Sequence, residues 1–313
     1  MTKSNNIRSS AYLLMTAIIW GVAFVFQSMG NDHMQAFTFT SSRYLLGFLV
    51  LLPIVLIKYF HPRFLADSDE IPIKQVPLKR TALGGVLCGL ALGAATMFQQ
   101  VGLQSTTVGK AGFITTLYSI LTPIFGLFLG KRCRFTVWIG AVAAVIGLYL
   151  LCITDDLTLS WGDLLVLICA VLFSVHIMLV DHFAPHTNGV LLSCIQFLVS
   201  GVSCGILALI FEQPTWAQLQ EGLIPILYTG VMSSGVAYTM QILGQRNFNP
   251  TIAAMIMSLE SVISAVASYI AYALGFLTQD QSLSAMQILG CVIMFAAVIF
   301  VQLPFDKLIL RRD

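Results

Sequence analysis

The chain has 313 residues, of which 58% are hydrophobic and only 10% charged, with a mean hydropathy of +0.88. Soluble domains carry about 45–50% apolar and about 25% charged residues, so this composition excludes a sizeable soluble domain and indicates an integral membrane protein. The formal charge of +2 does not point to nucleic acid, because the 16 Lys and Arg are scattered and no basic stripe is interleaved with aromatics.

Taken in chain order, the apolar runs predict ten membrane-spanning helices near 9–29, 35–58, 82–103, 106–129, 134–153, 160–180, 187–211, 222–244, 250–275 and 283–303. The first run follows Lys3 and Arg8 as a signal peptide would. It is about 20 residues long and no small-x-small cleavage site follows before Asp32, so it reads as the first helix. Polar breaks carry Asn31-Asp32, Asp155-Asp156, Glu212 to Pro214, Asn247 to Pro250 and Gln279-Asp280, and the one long connection is 59–80. Pro250 suits the first turn of the ninth helix, where a missing N–H costs nothing.

Lys and Arg are retained on the cytoplasmic face during insertion, so their loop parity tests the span count independently. Fourteen of the 16 fall on one side: Lys3, Arg8, Lys58, Arg63, Lys74, Lys79, Arg80, Lys131, Arg132, Arg134, Arg246, Lys307, Arg311 and Arg312. The opposite connections hold none and carry Asp32, Asp155, Asp156, Glu212 and Asp280. Both termini are therefore expected in the cytoplasm, and the two remaining cations, Arg43 and Lys110, fall inside the membrane. The seven cysteines are odd in number, and Cys88, Cys169, Cys194, Cys204 and Cys291 lie in apolar runs as small buried residues, which implies neither a disulfide framework nor a zinc site.

Sliding the chain on itself by 142 residues places Ala95 on Ala237, Gln99 on Gln241, Gly102 on Gly244, Ala111 on Ala253, Leu117 on Leu259 and Ser119 on Ser261. An offset of 153 places Trp20 on Phe173 and Arg43 on Gln196. The predicted fold is thus an all-α membrane protein of two five-helix repeats, residues 1–153 and 154–313. An odd number of spans per repeat inverts the second, and the interface of inverted repeats near the midplane is where transporters bind substrate.

A charge in hydrocarbon costs about 2.5–3.5 kcal/mol on insertion scales, so one that persists faces a polar interior or a partner. Glu260 lies ten residues past Pro250, roughly 15 Å along the axis, with Ser258, Ser261, Ser264 and Ser268 as a polar component of its helix. It either binds a substrate amine, carries a proton that competes with substrate, or is a packing carboxylate satisfied by Arg43 or hydroxyls. Lys110, flanked by Gly109, Ala111 and Gly112, either attracts an anionic group in the outer pathway or snorkels outward. Arg43 reads as one half of a structural ion pair. Gln99 and Gln241, one per repeat, pair as cavity hydrogen-bonders or bridge helices. His176 is a candidate proton carrier or a satisfied packing residue, and Trp20, Phe24, Phe98, Tyr118 and Tyr238 are candidate cavity walls.

Glycines at 85, 89 and 93, at 126 and 130, and at 201 and 205 repeat the G-x-x-x-G spacing of closely packed membrane helices. Gly201-Val-Ser-Cys-Gly205 matches a hydrolase elbow in letters only, since that motif needs a strand-turn-helix corner. No zincin or Walker A motif is present. An enzyme or receptor would need a catalytic cluster or an extramembrane domain, and neither is visible; no cofactor or metal is implied. The expected partners are a small-molecule substrate and the lipid bilayer, with a homodimer as a compatible assembly.

The pattern resembles the drug/metabolite transporter superfamily in its ten-helix EamA-type branch. The resemblance is carried by Trp20-Gly21 with Phe24, Arg43, the run Gln104 to Phe113 containing Lys110, Tyr118, Pro123 and Ser258-Leu259-Glu260. Members of that family often have Gly-Glu at the ends of the fourth and ninth helices, where this chain has Gly130-Lys131 and Gly275-Phe276, and Pro after the ninth-helix Glu, where it has Ser261. The resemblance implies a secondary transporter of the bacterial inner membrane that exports amino acids or related metabolites by alternating access, in antiport with protons. An uncoupled facilitator or an importer is the alternative. It also places the second and seventh helices toward the periphery.

Overall fold

The structure, a computed structural model, describes residues 3–61, 71–128, 130, 135–152, 160–246, 248–278, 280–282 and 284–302. Of the charges that set the predicted topology, Arg63, Lys131, Arg132, Arg134, Asp155, Asp156, Lys307, Arg311 and Arg312 lie outside those residues. All regular structure among the described residues is helical: α1 (Lys3–Asn31), α2 (Ala36–Phe60), α3 (Leu78–Gly102), α4 (Val108–Thr115), α5 (Tyr118–Phe128), α6 (Phe135–Cys152), α7 (Trp161–Phe183), α8 (Gly189–Phe211), α9 (Trp216–Glu221), α10 (Leu223–Leu227), α11 (Thr239–Gln245), α12 (Pro250–Met257), α13 (Glu260–Ala273) and α14 (Ala285–Gln302). A π-helical stretch, Tyr228–Tyr238, joins α10 to α11 in one continuous rod.

Among the described residues, eight stretches are long and apolar enough to cross a membrane: Ile7–Asn31, Ala36–Phe60, Leu78–Gly102, Val108–Phe128, Trp161–His186, Gly189–Phe211, Leu223–Gln245 and Pro250–Ala273. They match eight of the ten predicted runs. At the fifth and tenth runs lie α6 and α14, 18 residues each, whose apolar stretches among the described residues, Trp138–Gly147 and Ala285–Ala297, are shorter.

Packing follows the small residues. α8 is held between α3 and α2. A Cβ at Gly85 or Gly89 would stand 2.4 Å from Ile195 Cγ2 or 2.7 Å from the Gln196 carbonyl, and Ser200 Oγ donates to Gly89 O at 2.8 Å. On the other side Ser41 Oγ donates to Gly201 O at 2.8 Å, and Tyr44 stacks on Phe197 with ring centroids 5.7 Å apart. The helix pairs are reciprocal: α3 lies along α7 while α1 lies along the π-helical rod, and α6 pairs with α14. Outward-facing side chains such as Leu209, Val202, Leu49 and Val142 are exposed and apolar, as a lipid-facing surface requires.

Bonds between connections join odd to odd and even to even, as an up-and-down bundle demands. Asn188 Nδ2 donates to Ile71 O at 2.9 Å, and Thr106 Oγ1 donates to Asp163 at 2.6 Å. Glu212, at the end of α8, accepts from Phe37 N (2.8 Å), Thr38 N (2.7 Å) and Thr38 Oγ1 (2.6 Å). Its carboxylate thereby caps α2, whose own N-cap residue Gln35 contributes no side-chain bond. An anion at a helix N-terminus satisfies orphan N–H groups and complements the helix dipole.

The fourth and ninth predicted helices are each broken, where the apolar pattern alone predicts continuous helices. α4 ends at Thr115 and α5 begins at Tyr118; α12 ends at Met257 and α13 begins at Glu260. Several hydrogen bonds at the two breaks correspond at the 142-residue offset. Leu117 N donates to Ile114 O and Ser119 N to Thr116 O, while Leu259 N donates to Ile256 O and Ser261 N to Ser258 O. Thr116 Oγ1 donates to Phe113 O at 2.7 Å, and Ser258 Oγ to Met255 O at 2.8 Å. A hydroxyl that captures a carbonyl of the preceding turn competes with the helical ladder and favours tighter i→i−3 bonding. Pro123 frees the carbonyl of Ser119, one turn further on, and its counterpart at the same offset is Ala265, so proline is not what the two breaks share.

Two glycines beyond these helices adopt the left-handed backbone, Gly130 at φ 73° and Gly275 at φ 78°. At the second, Gly275 N donates to Tyr272 O and Phe276 N to Ala271 O, closing the last turn. This gives the glycine half of the Gly-Glu motif a backbone role that needs no acidic neighbour. It also corrects the packing role expected for Gly130, since a Cβ there would meet nothing within 4 Å.

Candidate functional site

The breaks lie beside a small central cavity. α4 packs on α13, α12 on α5, and α1 passes along α13. The Trp20-Gly21 pair explains that passage: a Cβ on Gly21 would lie 2.6 Å from Ile263 Cβ and 2.9 Å from the Glu260 carbonyl oxygen. With glycine there, α1 comes close enough for Trp20 to reach the interior, where its Nε1 donates to Ser233 O at 3.5 Å. Its ring lies 4.5 Å from that of Tyr238.

Trp20, Phe24, Gln99, Tyr118, Tyr238 and Glu260, all expected at the site, line one cavity of about 20 Å³ together with Arg43. That volume has room for about one water. Glu260 opens α13 and is 2% exposed, and its Oε1 makes no hydrogen bond. Tyr118 opens α5, is equally buried, and its hydroxyl faces the Glu260 carboxyl group. Gln99 Nε2 donates to Thr115 Oγ1 at 3.1 Å, fixing its amide against the end of α4.

Arg43 departs from its expected role. Its Nη1 donates to Gln27 Oε1 at 2.9 Å and its Nη2 to Tyr44 Oη at 3.0 Å, with the guanidinium 4.7 Å from the Tyr44 ring centroid. These partners are neutral, so the expected ion pair is replaced by an amide and a phenol, and Arg43 Nε has no partner. Nor is α2 peripheral at this level, because Arg43 reaches the central cavity from it.

Three expected site residues lie elsewhere. Lys110 is half-buried near the start of α4, where its backbone N–H is capped by Thr107 Oγ1, and it lines neither of the cavities described here. The neighbouring Gly112 serves close packing, since a Cβ there would collide with Ser264. His176 is fully buried, with Nε2 3.1 Å from Gln196 Oε1 and its ring edge-on to Tyr238. Gln241 is buried away from the central cavity, with its Oε1 unpartnered. Of the aromatics, Phe98 is exposed. The hydroxyls expected to give α13 a polar face turn back on their own helix: Ser261 Oγ donates to Ser258 O, Ser264 Oγ to Ser261 O and Ser268 Oγ to Ala265 O. Among the described residues no three His, Cys, Asp or Glu side chains are grouped as metal ligands.

Gln27, Thr115, Phe173 and Ser233 line the cavity without having been singled out from the sequence. The repeat offset carried a signal for Phe173, as the counterpart of Trp20. Gln27 lies seven residues after Trp20, two helical turns along the same face, and that spacing could have found it.

A second, more polar cavity of about 200 Å³ lies at the odd-connection end of the bundle, lined by Ser28, Asn31, Asp32, Leu103, Gln104, Leu277, Thr278 and Gln281. Gln100 bridges the two cavities. Its Nε2 donates to Gln27 O and to Asn31 Oδ1, each at 2.8 Å, and Asn31 Nδ2 returns a bond to Gln100 O at 3.2 Å. Arg43, Gln27, Gln100 and Asn31 thus form a bonded chain from the central cavity to the outer one.

Comparison with known proteins agrees with this architecture. An uncharacterized transporter of Archaeoglobus fulgidus is 28% identical over 296 residues, spanning 93% of this chain and 84% of that protein. A solved crystal structure superposes with a TM-score of 0.69 at 17% identity, covering 96% of this chain and 98% of that one, a likeness of fold. The EamA-like transporter family matches residues 8–153 and again 160–303. With nearly all of its length so matched, the chain, a multi-pass membrane protein, belongs to the EamA-like transporter family.

Proposed function

We propose that this transporter is a secondary active exporter of amino acids or related small metabolites, working by alternating access in exchange for protons. The observation that carries the reading is the buried carboxyl group of Glu260, whose Oε1 makes no hydrogen bond, set in a cavity beside two broken helices. Discontinuous helices near the midplane are where transporters of this architecture hold substrate and coupling ion. A single carboxylate that a proton and a substrate ammonium compete for couples the two without further machinery. Binding one requires releasing the other.

The wider arrangement in this reading is ten spans in two inverted five-helix units, residues 1–153 and 154–313, with both termini in the cytoplasm of a bacterial inner membrane. It is supported by the reciprocal packing of helices, the matching hydrogen bonds at the breaks, the two stretches matched by one family and the parity of the basic residues. The test is reconstitution in liposomes with a panel of radiolabelled amino acids and a pH gradient. Movement driven by the gradient in the native protein and lost in Glu260→Gln is the expected result. Movement indifferent to both the gradient and the substitution identifies an uncoupled facilitator.

A further inference from the structure

We propose that Arg43 and Glu260 form a two-ended site for a zwitterion, with the Arg43 guanidinium taking the carboxylate of an α-amino acid and Glu260 its ammonium. The inference rests on the transporter reading above and adds to it a binding residue, Arg43, and the way the two ends of the substrate are told apart.

Two side chains of opposite type, one basic and one acidic, line one cavity, each 2% exposed, and each keeps an unpartnered atom, Nε of Arg43 and Oε1 of Glu260. The hydrogen bonds of Arg43 to Gln27 and Tyr44 orient the guanidinium without neutralising it. A buried charge lacking a counter-charge is costly. A ligand that brings a carboxylate to one end and an ammonium to the other satisfies both charges at once. A ligand with only one of these groups leaves the other protein charge unpaired, which is how a polar site rejects close analogues. Guanidinium geometry suits this role, because its fork of donors binds a carboxylate through two parallel bonds and Nε is free to supply one of them. Trp20, Phe173 and Tyr238 supply an apolar wall for the rest of the ligand. At about 20 Å³ the cavity is contracted, so ligand entry requires the surrounding helices to part.

The test measures binding of the twenty common L-amino acids to the purified full-length protein by calorimetry. For the tightest binder, the decarboxylated amine and the deaminated acid are then compared. The native protein is expected to hold the zwitterion about tenfold or more tighter than either analogue. Arg43→Gln should erase the preference over the amine, and Glu260→Gln the preference over the acid. Arg43→Lys keeps the charge but not the fork, and should weaken the first preference while leaving the second intact. Failure of every amino acid to bind overturns the site, as does equal binding of the analogues or a preference unchanged in Arg43→Gln and Arg43→Lys. Liposome transport run in parallel separates the two claims. A zwitterion bound with this selectivity but never moved refutes the transporter reading and leaves the site standing. A metabolite moved without this selectivity does the reverse.

Discussion

At the first break the residue that opens the second half-helix is Tyr118, and at the second it is Glu260; the backbone around the two is bonded alike. Both side chains reach the same cavity, yet only one is a carboxyl group. The broken scaffold is supplied twice and the carboxyl group once. Two carboxylates in so small a cavity would repel each other, and two phenols would leave nothing for a cation. A similar asymmetry holds for Arg43, whose counterpart at the 153-residue offset is the neutral Gln196, held by His176.

The sharpest way to break the comparison is to exchange the two residues. Tyr118→Glu combined with Glu260→Tyr keeps the composition of the cavity and moves the carboxylate to the other half-helix. Gradient-driven transport in liposomes is expected to fall to background, because α1 and Gly21 lie against the Glu260 turn. Retained transport would make the two positions equivalent.

Next in size is Gly21→Val, which pushes side-chain atoms into Ile263 and should destabilise by about 1–3 kcal/mol. Thermal unfolding in detergent should show the loss, while Gly109→Ala, whose new Cβ would have Ala265 Cα as its nearest neighbour in space at 4.0 Å, should leave the melting temperature nearly unchanged. Glu212→Ala removes three charge-assisted bonds from the start of α2 and should cost roughly 1–3 kcal/mol by the same measurement. Gly275→Ala forces a side chain into the left-handed region and should cost roughly 1–2 kcal/mol. The smallest effect is expected from His176→Gln, which keeps an amide near Gln196 and should leave the pH dependence of transport unaltered. A changed pH profile would return His176 to the coupling machinery.

Much of the architecture is legible in the sequence because hydrophobic runs report membrane depth directly. The eight longest spans and the close packing at Gly85, Gly89 and Gly201 follow from run length and small-residue spacing. The mid-span place of Glu260 in the Pro250–Ala273 stretch could likewise be counted from Pro250. What a run does not report is which way a side chain points around the helix. Gln99 and Gln241 align in sequence, but α3 is regular throughout, whereas Gln241 follows an 11-residue π-helical stretch that changes the angular register. Gln99 therefore faces the cavity and Gln241 does not. The breaks were hidden for a related reason: Thr116 and Ser258 are unremarkable letters in apolar runs, and their effect lies in the carbonyls they capture. Arg43 was misassigned because its partners, Gln27 and Tyr44, carry no charge that a search for ion pairs would find.

The carboxylate cap on α2 has a mechanical side. Glu212 pins the start of α2 to the end of α8, Ser41 ties the next turn to Gly201, and Tyr44 stacks on Phe197 below that. Three fasteners in succession along one seam make the two helices a single strut. A strut transmits displacement along its length and does not flex, so any rearrangement that opens the cavity has to be taken up at other seams, with α2 and α8 carried as one body and Arg43 riding on it.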